Sequence, residues 1–275
     1  MRPNEGAVEI EARRFSYEAG AIGGSLARAI AVEAPVQIVI GGSPFAVMMA
    51  TPLDLEDFAY GFLFSEGVAE RPDDIRGVEV VRAAEEWRIE VALTGEKLKA
   101  LLARRRAISG RTGCGLCGIE DLAQLPSPPP PSVARQPLPP AAVGAAIGEL
   151  ERRQPLNAQT RAVHAAAWCS REGAIQLVRE DVGRHNALDK AIGALRRAGV
   201  GADSGFFVIT SRCSFEMVVK AALFGADALV SLSAPTSLAL ERARAFGVTV
   251  IAVARADGAL SFDAARGGAS GGLAV

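Results

Sequence analysis

At 275 residues, 49% of them hydrophobic and 22% charged, the chain is long enough to bury one large core or two modest ones. Its formal net charge of -1 argues against a protein that works on nucleic acid or a membrane surface through a global basic field. Four cysteines in a chain this long, behind an N-terminus (Met1-Arg2-Pro3-Asn4-Glu5) without an apolar signal segment, argue against a disulfide scaffold and for a cytoplasmic protein with functional thiols.

In chain order, residues 7–33 alternate weakly between apolar and polar and read as early strands. The longest uncharged run, Ala34 to Leu53, has membrane-spanning length, but Gly41-Gly42-Ser43-Pro44 breaks it. Val36–Ile40 and Phe45–Met49 therefore read as a hairpin around that turn. Thr51 is the expected N-cap of the next helix, with Pro52 at its first position, acids in its first turn and Gly67 past its end. Val78–Val81 and Arg88–Leu93 read as a second hairpin, and Glu96–Arg106 as a basic amphipathic helix.

A glycine-rich loop follows, Ser109-Gly110-Arg111-Thr112-Gly113-Cys114-Gly115-Leu116-Cys117-Gly118. Glycine accepts conformations closed to other residues, so this Cys-x-x-Cys sits in a loop that can present its sulfurs. Three chemistries remain open: half of a zinc site, which needs more ligands; a dithiol redox pair, which belongs at a helix start after a strand; and a thiolate that carries sulfur as a persulfide. A zinc deaminase would need a shuttle glutamate in a His-x-Glu or Cys-x-Glu before the cysteines, and none precedes them. Arg111 and the run Arg104-Arg105-Arg106 favour a thiolate, although that run also suits a solvated helix face.

Residues 126–140 hold eight of the fifteen prolines and read as a semi-rigid connector between residues 1–125, an α+β domain ending in the Cys loop, and residues 141–275. The second part opens with a helix (Ala141–Arg153) and a strand pair (Ala162–Cys169, Ala174–Arg179). Helices over 184–198, 215–224 and 236–246 then alternate with strands over 206–210, 228–233 and 248–254, which predicts an α/β domain with a mostly parallel sheet. The stretch from Gly267 to Gly272 reads as a mobile tail.

In open α/β sheets, ligands bind beyond the carboxyl ends of the strands. That rule selects Ser211-Arg212-Cys213-Ser214, Ala234-Pro235-Thr236 and Arg255-Ala256-Asp257. Joined by Arg184 and His185, they form a candidate phosphate-binding rim at helix N-termini. Ser214 and Thr236 also serve equally well as simple N-caps. Cys169 ends an apolar strand and reads as core, whereas Cys213 is divided between core and site.

Several motifs occur in a fixed order: Thr51-Pro52, Gly61-Phe62-Leu63, Glu66-Gly67, the Cys loop, His164-Ala165-Ala166-Ala167, Glu180 to Lys190, Ser214 to Ala221 and Ser233-Ala234-Pro235-Thr236. Together they resemble the formate dehydrogenase accessory sulfurtransferases, the FdhD family, over roughly residues 35–255. The resemblance implies a sulfur carrier that takes sulfur from a cysteine desulfurase and passes it to the molybdenum cofactor of formate dehydrogenase, the bis(molybdopterin guanine dinucleotide) form. It also implies a second domain similar to the cytidine deaminase fold, a homodimer, and no metal of its own. Cys114 would bear the persulfide, with Cys117 assisting. Ala252, Val253, Ala254, Arg255, Ala256 and Asp257 would contact the guanine dinucleotide cofactor, with Arg184, His185, Arg212 and Thr236 on the phosphate rim. The alternative is a cofactor-binding chaperone whose cysteines are structural or bind metal.

Overall fold

The computed structural model describes residues 6–17, 21–83, 86–107 and 137–262. The Cys loop, most of the proline connector and the glycine-rich tail lie outside these residues. No helix among them is long and apolar enough to cross a membrane.

Strands β1 (Ala7–Ser16) and β2 (Ala21–Ala31) form an antiparallel two-stranded ribbon. The next strands, β3 (Ala34–Ile40), β4 (Ser43–Ala50), β5 (Ile75–Ala83) and β6 (Glu86–Leu93), form a sheet of order β4-β3-β6-β5. Gly41 and Gly42 turn β3 into β4 with φ of 56° and 76°, the two left-handed positions a tight hairpin demands. Helix α1 (Leu55–Ser65) covers this sheet, burying Phe58 and Leu63 against Ile38, Ile40 and Ile89. Helix α2 (Gly95–Ala107) closes this half.

Helix α1 begins a turn later than Thr51 and Pro52 predict. Asp54, at φ 52°, precedes it without a capping side-chain hydrogen bond. Thr51 is occupied elsewhere: its hydroxyl accepts the Val182 N–H at 3.2 Å and its own N–H reaches Asp181 at 3.0 Å. Long-range partners outcompete the local cap.

The second half comprises α3 (Pro140–Leu150), α4 (Pro155–Thr160), β7 (His164–Ser170), β8 (Ile175–Asp181), α5 (Arg184–Arg197), β9 (Gly205–Ile209), α6 (Phe215–Phe224), β10 (Ala228–Ser231), α7 (Ser237–Phe246), β11 (Thr249–Arg255) and β12 (Gly258–Phe262). Its sheet has the order β12-β11-β10-β9-β7-β8. Only the β9–β10 and β10–β11 pairings are parallel; β7, β8 and β12 join the sheet through antiparallel pairings on both sides. The sheet is therefore mixed rather than mostly parallel, and the connections explain it. The β7–β8 and β11–β12 links are short turns that permit only antiparallel pairing, while α6 and α7 supply the crossovers parallel strands require. Short α4 and the small-residue strand β12 carried too little periodicity to be read from the chain.

Strand β9 is buried at every position because helices cover both faces of the sheet. Phe207 and Ile209 face the core under α5, α6 and α7, where Trp168, Phe207 and Phe224 pack edge to face with centroids 4.7 to 5.3 Å apart. Phe206 and Val208 face α3 on the other side, together with Cys169. Burial pushes the Cys169 thiol up to about 12, as a core cysteine requires.

Helix α1 of the first half crosses α5 of the second at backbone distance. A Cβ on Gly61 would lie 1.7 Å from the Asp189 carbonyl oxygen, and one on Gly193 would lie 1.9 Å from that of Asp57. Glycine is the residue that admits such an approach.

Candidate functional site

Strand direction gathers the predicted rim on one edge. The parallel strands β9, β10 and β11 end there. Strand β7 runs opposite to β9 and so starts there, its Ala165 N–H donating to the Thr210 hydroxyl at 2.9 Å. Strand β8 reverses again, bringing Asp181 opposite His164 in register. His164, Asp181 to His185, Ser211 to Ser214, Ser233 to Thr236 and residues 252–257 thus belong to one sheet edge.

The loops on this edge are fastened to each other. Cys213 bridges the Pro235 segment, its N–H donating to Ala234 O at 3.2 Å and its carbonyl accepting from Thr236 N at 3.0 Å. The Ser231 hydroxyl reaches Ser211 O at 2.7 Å, and Val253 N–H reaches Ser233 O at 3.1 Å. Cys213 is fully buried and its thiol is pushed up to about 12 by that burial, so of its two readings the structure selects core.

Val253 adopts φ 54°, a left-handed conformation that a β-branched side chain resists. The β11–β12 register slips between Ala252 and Arg255 at the same place. Strain of this kind costs on the order of 1–3 kcal/mol and persists only where the surroundings impose it, which occurs preferentially at functional segments. It falls within the segment 252–257 that the family resemblance implies for cofactor contact.

The remaining candidates divide. Arg212, Arg255, Ala256 and Asp257 are exposed, Ala252 and Ala254 are buried in the strand end, and Arg184, His185 and Thr236 are half-buried. The Arg255 guanidinium donates to the Leu232 and Ala254 carbonyls, so part of it braces the loop. Thr236 is the N-cap of α7, its hydroxyl accepting the Ala239 N–H at 3.3 Å. Ser214 precedes α6 but gives its hydroxyl proton to Glu216 at 2.8 Å instead of capping the backbone. The Nε of Arg184 is shielded from solvent and has no hydrogen-bond partner. Burial, reinforced by the Arg184 charge, lowers the pKa of both His164 and His185, which favours the neutral imidazoles.

Behind this rim lies a layer that sequence reasoning missed. Asp181 and Lys190 pair at 2.6 Å, fully buried, and Lys190 also donates to Thr51 O at 2.9 Å. Asp181 accepts the N–H of Gly183 at 2.7 Å and the Asn186 amide at 3.0 Å, and Asn186 donates onward to Met49 O at 2.8 Å. One turn along α5, Asp189 accepts from Lys220 at 2.6 Å and from Ser65 at 2.6 Å. Glu180 accepts the Leu156 and Asn157 N–H groups at 2.9 and 2.8 Å, at the start of α4. The polar run Glu180 to Lys190 therefore points largely inward, tying the first half of the chain to the base of the rim. Its spacing, with Asn186 and Lys190 four residues apart on one helical face and Asp181 just before the helix, was the available signal.

The FdhD/NarQ family matches residues 31–266. A sulfur carrier protein FdhD of Xanthomonas axonopodis pv. citri (strain 306) is 48% identical over 226 residues, covering 82% of this chain and 80% of the relative. One from Variovorax paradoxus (strain S110) is 47% identical over 228 residues, covering 83% and 82%. The crystal structure of a putative formate dehydrogenase accessory protein from Desulfotalea psychrophila superposes with a TM-score of 0.74 at 26% identity, covering 94% of this chain and 97% of that one. By the extent of the match and the level of identity, this chain belongs to the FdhD/NarQ family.

Proposed function

We propose that this chain is a sulfur carrier serving formate dehydrogenase. In this reading Cys114 is the carrier: its thiolate attacks the outer sulfur of a cysteine desulfurase persulfide, takes that sulfur as Cys114-S-SH and releases the desulfurase thiolate. Cys117 assists in the same loop. The outer sulfur would then pass to the molybdenum cofactor in its bis(molybdopterin guanine dinucleotide) form, the S–S bond breaking to regenerate the Cys114 thiolate and release its proton; that cofactor is the acceptor and not a resident group. The protein works in the cytoplasm as a homodimer.

The observation that carries this reading is the convergence of five strand ends on one edge, with Arg184, Arg212 and Arg255 there as cations for the phosphates of a dinucleotide. Asp257 is an acceptor for a guanine edge. The names of the relatives supply the sulfur-carrier role and the link to formate dehydrogenase. Intact mass after incubation with a cysteine desulfurase and cysteine tests it. A gain of one sulfur that disappears in Cys114→Ala is expected. No gain, or stoichiometric zinc lost in Cys117→Ser, would replace this reading with a chaperone whose cysteines hold metal.

A further inference from the structure

We propose that the hollow between α1, α5 and α6 is a binding site for a small monocarboxylate with an apolar body about the size of a benzene ring, held by the Arg196 guanidinium. The hollow lies at the far ends of α5 and α6 from the rim, about 18 Å along α5 from Arg184. It therefore stands apart from the sulfur-carrier reading and does not rest on it.

A cavity of about 170 Å³ opens there, walled by Phe64, Ala69, Ile192, Leu223 and Phe224. An apolar cavity of about 150 Å³ accepts a benzene molecule, so this one has room for a body of that size. Its polar lining is Ser65, Glu70, Lys220 and Arg196, and all but the last are matched. Ser65 and Lys220 both bond Asp189 at 2.6 Å, and Glu70 pairs with Lys97 at 2.7 Å. The next residue along α5, Arg197, holds both Glu56 and Asp57. No carboxylate pairs with Arg196 among the described residues, and burial lowers its pKa with no acid to oppose the shift. Its guanidinium carbon lies over two rings, 5.1 Å from the Phe64 centroid and 4.9 Å from that of Phe224. Its Nη2 donates to the Leu223 and Phe224 carbonyls, both at 3.3 Å, and so caps the end of α6. The cap accounts for one nitrogen. It leaves Nε shielded and without a hydrogen-bond partner, and the charge without a counterion.

Charge and lining select the ligand. A single uncompensated cation matches a single negative charge, and a guanidinium matches the planar geometry of a carboxylate. The apolar walls make it costly to bury a second negative charge, as inorganic phosphate would require, and the Glu70 carboxylate in the lining repels one. The hydrocarbon part of the acid covers Phe64, Ile192 and Leu223, which water otherwise reaches through the opening. Helix α1 belongs to the first half of the chain and α5 and α6 to the second, so an occupant of this hollow bridges the two halves beside the Ser65–Asp189–Lys220 contact.

Titration calorimetry of the full chain with benzoate, benzamide and inorganic phosphate tests this. Benzoate is expected to bind at least tenfold tighter than benzamide, which has the same shape without the charge, and tighter than phosphate. Arg196→Gln is expected to abolish the preference for benzoate and leave the benzamide affinity unchanged, whereas a purely structural Arg196 would weaken both alike. Place is read in a Trp87→Phe chain, whose remaining tryptophan, Trp168, packs 5.2 Å from Phe224 in the cavity wall. Its emission is expected to change with benzoate along the calorimetric binding curve. No binding of benzoate by about 10 mM, equal affinities for benzoate and benzamide in the wild type, or tighter binding of phosphate overturns the proposal. An unaltered preference in Arg196→Gln, or benzoate binding that leaves Trp168 emission unchanged, overturns the assignment to this hollow. The wild-type comparison and the Trp168 readout hold whether or not Arg196→Gln folds.

Discussion

Asp181 and Lys190 form an ion pair 2.6 Å long with both side chains fully buried, and each partner also bonds the backbone of Thr51, about 130 residues away in sequence. Burial pulls the Lys190 ammonium below the usual lysine range, against the attraction of Asp181. A pair of this kind adds little stability over an apolar pair of the same volume, but removing one partner strands the other charge. Lys190→Met is expected to cost about 3–5 kcal/mol in urea unfolding. Asp181→Asn in the same chain removes the stranded charge but keeps one oxygen, which accepts only one of the Thr51 and Gly183 N–H groups, so it is expected to restore part of that loss. Equal losses in the single and double variants would show that the charge was not what had been left unpaired.

The α1–α5 crossing depends on two glycines. Gly61→Ala would drive a methyl group into the Asp189 carbonyl, and Gly193→Ala into that of Asp57, with backbone rather than a flexible side chain in the way. Each is expected to destabilise by about 3 kcal/mol or more, the upper end for overpacking. Gly144→Ala in α3 meets nothing within 4 Å and is expected to be neutral or slightly stabilising. Thermal midpoints of the three variants give the comparison.

Thiol reactivity should divide the four cysteines. Cys169 and Cys213 are fully buried and their thiols are pushed up to about 12, so neither is a thiolate at pH 8. Native alkylation is expected to fall on Cys114 and Cys117, and denaturation to expose the other two. Rapid native labelling of a Cys114→Ala, Cys117→Ala chain, read by mass, would contradict the burial of Cys169 and Cys213.

Stability should fall below neutral pH through His164 and His185. Both folded pKa values lie below the ordinary 6.5, first because of burial and then because of Arg184. Well above 6.5 both states are neutral and the histidines contribute nothing. As the pH drops from 6.5 toward the folded values, the unfolded chain gains protons that the folded chain refuses, and unfolding is favoured. Urea midpoints at pH 7.5 and 5.5 should differ less in His185→Gln than in wild type. An unchanged difference would place the acid sensitivity elsewhere.

How much of this was legible depended on the range of the interaction. The β3–β4 turn at Gly41-Gly42, the stop of α1 near Gly67 and the helix–strand alternation after residue 184 are local matters of backbone freedom and periodicity, and reading the chain located them. The edge that collects the site was also accessible, because strand ends can be counted along the chain. What Thr51 does was not. Its caplike neighbours Pro52 and Asp54 argued for a helix start, while its real partners Asp181, Val182 and Lys190 lie in the other half. The polar run Glu180 to Lys190 misled in the same way, because charge density marks importance but not direction.

Neighbouring residues alone specify most of the helices and strands, the glycine-bracketed cysteine pair, and the motif order that resembles one family. Folding turns Asp181, Asn186, Asp189 and Lys190 inward as a clasp between the halves and leaves Arg184 and His185 half-buried on the rim. The reason is physical: periodicity and turn chemistry are written into neighbouring residues, whereas burial of a charge is settled by whatever distant backbone arrives to satisfy it.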